Sequence, residues 1–378
     1  MRLWKSQKPF ICSLLLLGIL LPTSSAFAVN FNLGEMMTGF FDASGSFGDG
    51  ASGALTVNSN APTVGTGLSG YPYNGKASPL VVNTLATRLN ADAAKGATSL
   101  TVVSSTSFAA GDNILIIGMD GVNAGKMQFT TISSIGSGTN IVIPSPGLYN
   151  AYSSTTTAGN YVQILRVPRY TNVTINSGAV ISANAYNAST GTGGVVAFKV
   201  SGTLTLTNAS PVSGSVSMGS SYITDTTYDI GFAGGSAAAG SGPGGGASAA
   251  TSNGGTNMSP GVGTNLIMGA GGGAPSGGVG GVGGGIVIVK AAAVSLGGTI
   301  TANGRAGSGT NAGGGAGGTV AIFTNTLSCS SGAISATAGA PTGTGSAGSV
   351  GRVFVNYTTT LGCQPGTTTT TYQKMRLK

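Results

Sequence analysis

The residues able to do covalent chemistry are few. Cys329 and Cys363 are two of only three cysteines, they lie 363 − 329 = 34 positions apart, and each closes a Leu-x-Cys segment, Leu327-Ser328-Cys329 and Leu361-Gly362-Cys363. In an exported chain such a pair is read as a disulfide. Histidine is absent from all 378 residues. That removes the usual base near neutral pH and excludes Ser-His-Asp hydrolases, Cys-His hydrolases and zinc sites built on histidine. From position 159 onward the acids are Asp225 and Asp229 alone. Enzymes that cleave acidic polysaccharides need clustered carboxylates and a basic residue set to take a proton. One pair of acids reads instead as solvated surface. The stretch Asp42 to Gly50 carries oxygen-bearing side chains but lacks the terminal bidentate Glu of a calcium loop, so it reads as a Gly-rich turn. No catalytic residue, cofactor or metal site is assigned. Binding chemistry is left to aromatic rings. Tyr149 and Tyr152 sit in a Gly/Ser/Thr stretch and Tyr222 and Tyr228 farther on; exposed, they would stack on sugar faces, and packed against their loops they would not.

Elements must position these residues, and the first is a targeting segment. Arg2, Lys5 and Lys8 precede the apolar run Pro9 to Leu21, which is short for a bilayer, and Ala26-Phe27-Ala28 fits the small-x-small cleavage rule. Residues 1–28 are therefore expected to be a signal peptide, with no transmembrane segment after it. Removing its three basic residues leaves 16 − 3 = 13 Lys+Arg against 8 Asp+Glu. The charges are scattered, which argues against a nucleic-acid partner.

Residues 29–84 form a Gly/Ser-rich N-terminal segment. Residues 85–158 hold β-branched runs, among them Asn113-Ile114-Leu115-Ile116-Ile117 and Ile141-Val142-Ile143, separated by Gly, Asn, Asp and Pro; they predict a small all-β module. From 159 to 366 the chain repeats. Gly-Gly before a strand occurs at Gly284-Gly285 and Gly317-Gly318, and Val350-Gly351 precedes a third, so that 318 − 285 = 33 and 351 − 318 = 33. A fixed period of this size predicts a parallel β-helix, a solenoid whose strands stack coil on coil. A β-sandwich is the competing architecture. In the solenoid both cysteines fall at one place in consecutive coils, within reach of a disulfide. Residues 367–378 are a Thr-rich basic tail.

A long insertion, 208–283, interrupts the repeat, and its second part is dominated by Gly, Ala and Ser, with Pro243, Pro260 and Pro275. Two readings stand: a flexible loop, or an ordered sheath of polyglycine-II-like helices, which chains lacking Cβ atoms can form by close approach.

The blocks Ala109 to Gly121, Asn123 to Phe129 and Val167 to Ile175 resemble secreted, glycine-rich surface proteins of Gram-negative bacteria, some of them named for adventurous gliding motility in myxobacteria. The resemblance covers roughly Leu85 to Tyr357 and implies extracellular or outer-surface placement and a β-helix. Together these features predict a secreted, non-enzymatic surface or matrix protein for adhesion, with a polysaccharide or cell-surface ligand. The alternatives are a self-assembling fibre subunit and a polysaccharide-active enzyme.

Overall fold

The computed structural model describes residues 47–58, 76–77, 80–154, 160–177, 179–209, 212–213, 215–217, 266–330, 333–362 and 371–376. All fall in one compact unit, Leu33–Lys378. The expected signal peptide and most of the insertion lie outside the described residues.

The architecture is a parallel β-helix. One wall stacks Leu55–Asn58, Val173–Ile175, Val195–Leu206, Ile286–Leu296, Thr319–Cys329, Arg352–Leu361 and Thr371–Arg376 in parallel. A second wall stacks Leu80–Val82, Val180–Ala183, Ser215–Ser217, Thr299–Thr301 and Ala333–Ser335. The 33-residue period is the coil, because Ile286 pairs with Thr319 and Thr319 with Arg352. Equivalent side chains form continuous apolar ladders in the interior. One runs Leu55, Val173, Leu204, Val294, Leu327, Leu361. Each rung is too short to bury a face alone, and stacking supplies the core that single coils lack.

The all-β module is inserted into this helix rather than preceding it. The solenoid starts at Leu55–Asn58, inside the segment read as irregular, and its first coil continues at Leu80–Val82. The module then occupies the chain up to Val162–Arg166, past the expected boundary at 158, because that strand sits at the centre of the module's sheet. The antiparallel order is Ala86–Arg88, Val162–Arg166, Asn113–Gly118, Met127–Thr131. Ile114, Ile116, Val162 and Ile164 face the module's own core with Leu100, Ile141 and Tyr152. Leu115, Ile117, Phe129 and Leu165 face the outside of the solenoid, packing with Val195, Ala197, Ile286, Ile288 and Phe323. Burial on both faces explains why Ile114-Leu115-Ile116-Ile117 shows no polar alternation.

The glycine-rich segments are the larger departure. They are hairpins that leave the second wall, reverse at a tip and return to the first. Segment 302–307 runs out and 312–318 runs back; 336–341 and 345–351 repeat the pattern one coil later. Segment 312–318 shows how they are held. Gly313 and Ala316 donate to the carbonyls of Gly273 and Ala270, Gly314 and Gly317 to those of Ser346 and Ser349, and Gly315 and Gly318 to those of Arg305 and Ala302. Donors three residues apart address the same neighbour, so the segment has threefold, polyglycine-II-like symmetry with a partner on each face. The packing tolerates no side chain: a Cβ on Gly315 would stand 2.0 Å from the Val282 carbonyl oxygen and one on Gly318 1.9 Å from that of Gly285. Segments 266–274 and 279–285, the end of the insertion, belong to the same bundle through Gly269 N–H to Gly284 O at 2.7 Å and Gly272 N–H to Gly281 O at 2.8 Å. Of the two readings of the insertion, the ordered sheath describes 266–283.

Candidate functional site

Three hairpin tips gather at one edge of the glycine bundle: 275–279, 308–311 and 342–345. Each turns on a glycine with positive φ, Gly277 at 84°, Gly309 at 75° and Gly343 at 52°, a conformation that residues with a Cβ avoid. The tips are tied in series. Gly278–Val279 pairs with Ser308–Gly309, Thr310 N–H donates to the Gly277 carbonyl at 3.1 Å, and Thr344 N–H donates to Asn311 Oδ1 at 3.0 Å. Ser276, Ser308, Thr310 and Thr344 are exposed, and Val279 is 47 % exposed. The row therefore offers hydroxyls, peptide groups and one aliphatic side chain, with no charge, on a base that is hydrogen-bonded throughout.

A second cluster lies between module and solenoid. Asp120, in the module, is buried; its Oδ2 accepts from the Tyr186 hydroxyl at 3.1 Å and its Oδ1 from the Tyr161 N–H at 2.5 Å. The half-buried Arg88 guanidinium stands 4.9 Å over the Tyr161 ring. Desolvation pushes the Asp120 carboxyl above its ordinary value, against the opposing hydrogen bonds from Tyr161 and Tyr186. Desolvation, and then the neighbouring Asp120 charge, push the Tyr186 phenol up as well. A carboxyl inclined to hold its proton is a property of general acids. Here, however, both of its oxygens are engaged and both partners are buried, so the cluster works as a joint. Farther along the same seam the buried Lys199 donates from Nζ to Asn113 Oδ1 at 3.0 Å. Lys199 and its register partner Lys290 both approach the Phe129 ring, at 5.2 and 5.4 Å from its centre.

The aromatic residues expected to meet glycans are distributed otherwise. Tyr152 is only 1 % exposed, enclosed in the module core beside Leu89 and Ile164. The backbone bridge Ala93 to Tyr152 draws the loop inward, so Tyr152 is corrected from a glycan contact to a core residue. Tyr149 is half-buried, with its N–H donating to Gln128 Oε1 at 2.8 Å. Tyr222 and Tyr228 lie outside the described residues. Asp49, in the stretch read as a Gly-rich turn, pairs with Arg169 at 2.6 Å and accepts from Ala51 N–H at 3.0 Å. Among the described residues no group of three or more His, Cys, Asp or Glu could hold a metal ion. Cys329 ends its strand in register with Leu296 and packs against the interior core, and Cys363 lies outside the described residues.

Sequence reasoning missed Asp120 with Tyr186, 66 positions apart, and Lys199 with Asn113, 86 apart. Only Lys199 and Lys290 left a signal: each is a lone charge at the same position of an apolar run, Val195 to Val200 and Ile286 to Val294.

No protein-family model matches the chain, and no curated protein sequence matches it either. Among solved structures it is similar to the tailspike protein gp49 from Pseudomonas phage LKA1, at 12% identity over 82% of this chain and 45% of that one, with a TM-score of 0.25. It is similar also to the Gp54 tailspike of Acinetobacter baumannii bacteriophage AP22, solved in complex with A. baumannii capsular saccharide, at 13% identity over 82% of this chain and 62% of that one, with a TM-score of 0.22. The chain thus spans less than two thirds of either tailspike, and both likenesses are too distant to bear on what it binds or does.

Proposed function

We propose that this protein is a secreted, non-enzymatic scaffold of the cell surface or extracellular matrix, and that it contacts uncharged polysaccharide through the tips of its glycine bundle. The observation that carries this reading is the row of three tips in consecutive register, exposing Ser276, Ser308, Thr310 and Thr344 on a hydrogen-bonded base. Hydroxyl and peptide groups match the hydrogen-bonding needs of neutral sugars, and a preformed base limits the ordering cost of binding. Consecutive coils are one inter-strand spacing apart, about 4.8 Å. A polymer laid along the row meets equivalent groups repeatedly, which raises its effective affinity. The non-enzymatic part of the reading is supported by the enclosure of the Asp120 carboxyl between Tyr161 and Tyr186.

The test is binding of the purified mature protein to an array of bacterial capsular and exopolysaccharides, beside the variant Ser308→Ala/Thr310→Ala/Thr344→Ala. The expected result is retention on a neutral polymer, weakened at least about tenfold in the variant, a loss of about 1.4 kcal/mol or more. Equal retention by both proteins would remove the tips from the reading. Appearance of new reducing or unsaturated ends in the bound polymer would make the protein an enzyme.

A further inference from the structure

Lys199 and Asn113 meet where the module docks on the third coil. Lys199 is 1 % exposed and Asn113 6 %, and the Nζ to Oδ1 distance is 3.0 Å. Lys290 enters from the next coil, paired in register with Lys199 and also buried. Both nitrogens lie over one face-bearing neighbour, the Phe129 ring, at 5.2 and 5.4 Å from its centre. Burial and like charge both favour the neutral form of an amine, whereas an aromatic face stabilises an ammonium. The site thus brings a nucleophilic amine, a proton donor and a carboxamide together where water does not compete, and proximity of this kind replaces a bimolecular encounter.

We propose that Lys199 and Asn113 become joined by an intramolecular isopeptide bond. The neutral Nζ of Lys199 attacks Cγ of Asn113. The Nζ–Cγ bond forms and the Cγ–Nδ2 bond breaks. The Lys290 ammonium gives a proton to the departing Nδ2 and takes back the proton that Nζ sheds. The products are a secondary amide and one ammonia, Lys290 is regenerated, and no oxidant or reductant is needed. The bond fixes the module to the solenoid at a point where the noncovalent seam is otherwise a mixture of apolar packing and a few polar contacts.

Intact-mass spectrometry of the secreted protein, with its N-terminus determined, tests this directly. After reduction of any disulfide, the expected mass is one ammonia below that of the sequence. Trypsin should fail to cut after Lys199, and digestion should release a branched peptide carrying positions 113 and 199. Lys199→Met and Asn113→Ala should each restore the mass expected for their sequence. Lys290→Met leaves both bonded atoms in place, so a purely structural role for Lys290 would leave the ammonia loss unchanged. In folded Lys290→Met, checked by circular dichroism and thermal melting, the ammonia should be retained. A wild-type mass equal to its sequence, with separate linear peptides bearing unmodified Asn113 and Lys199, would overturn the proposal. So would conversion of Asn113 to Asp, since water rather than the amine would then have attacked. A fully linked Lys290→Met protein would overturn the proton transfer assigned to Lys290.

Discussion

The side-chain amide of Asn83 pairs with both backbone groups of Ala197: Nδ2 donates to the carbonyl at 2.8 Å and Oδ1 accepts from the N–H at 2.8 Å. Nδ2 donates also to the Arg166 carbonyl at 2.9 Å. Asn83 stands at φ 56° where the chain leaves Leu80–Val82 for the module, a conformation Asn tolerates better than most residues. One side chain thus satisfies the strand edge of the third coil and the exit of the module together. Asn83→Ala should lose these bonds and strain the backbone, costing about 2–4 kcal/mol. Asn83→Gly should relieve the strain without restoring the bonds and lose less. Urea unfolding of the two variants checks the order.

Asp120 makes stability depend on pH. Its folded-state value is raised above 3.8 by burial, so the native state binds the proton more tightly than the unfolded chain does. The associated stabilisation is full below the unfolded value and is lost as pH rises through the folded one. Asp120→Asn should flatten this part of the profile. Tyr186→Phe removes the donor to Oδ2 and should cost about 1–3 kcal/mol at neutral pH, where the buried carboxylate is left short of a partner. Thermal melts across the acid range, for wild type and both variants, are the measurement.

Alanine at Gly315 or Gly284 should be severely destabilising, because the new Cβ would meet the Val282 or Ala302 carbonyl oxygen at 2.0 or 2.1 Å. Overpacking of this kind costs about 1–3 kcal/mol or more. Gly138→Ala, where nothing stands within 4 Å, is the control and should be close to neutral. Hydrogen exchange adds a check without mutation. The amides of Gly269, Gly272, Gly281 and Gly284, all donors between segments, should be protected; exchange within seconds would mean that the bundle is not closed in solution.

The register Leu327 to Leu361 continues with Gly362 N–H donating to the Leu327 carbonyl at 2.7 Å. Two residues farther on, that offset of 34 aligns Cys329 with Cys363. A disulfide there should staple the last coil to the one beneath it and contribute roughly 3–4 kcal/mol in the chain-entropy model. Non-reducing peptide mapping is the check, and two free thiols in freshly secreted protein would refute the pairing.

The solenoid was legible because its coils repeat without slippage where Gly-Gly meets a β-branched run, and those runs are the interior ladders. The insertion point of the module was not legible. Leu55-Thr56-Val57-Asn58 is four residues within a Gly/Ser/Asn stretch, too short a pattern to separate from loop. Glycine composition was ambiguous by its nature, since the missing Cβ that frees an isolated chain also lets neighbouring chains close on one another. Tyr152 misled for a related reason. Polar, small neighbours suggest exposure, but here they form the turns that carry the ring into the module core. The joint of Asp120 with Tyr186 joins positions that only the packing of the module against the solenoid brings together.

The glycine bundle has a thermal consequence. The β-helix interior is aliphatic, and its cohesion weakens on cooling as apolar hydration becomes less costly. The bundle buries peptide groups instead, held by bonds such as Gly314 N–H to Ser346 O at 3.0 Å. Exposing polar surface lowers the heat capacity of unfolding whereas exposing apolar surface raises it. Each added glycine hairpin therefore flattens the stability curve that the aliphatic coils alone would impose, and extends the cold side of the range over which the protein stays folded.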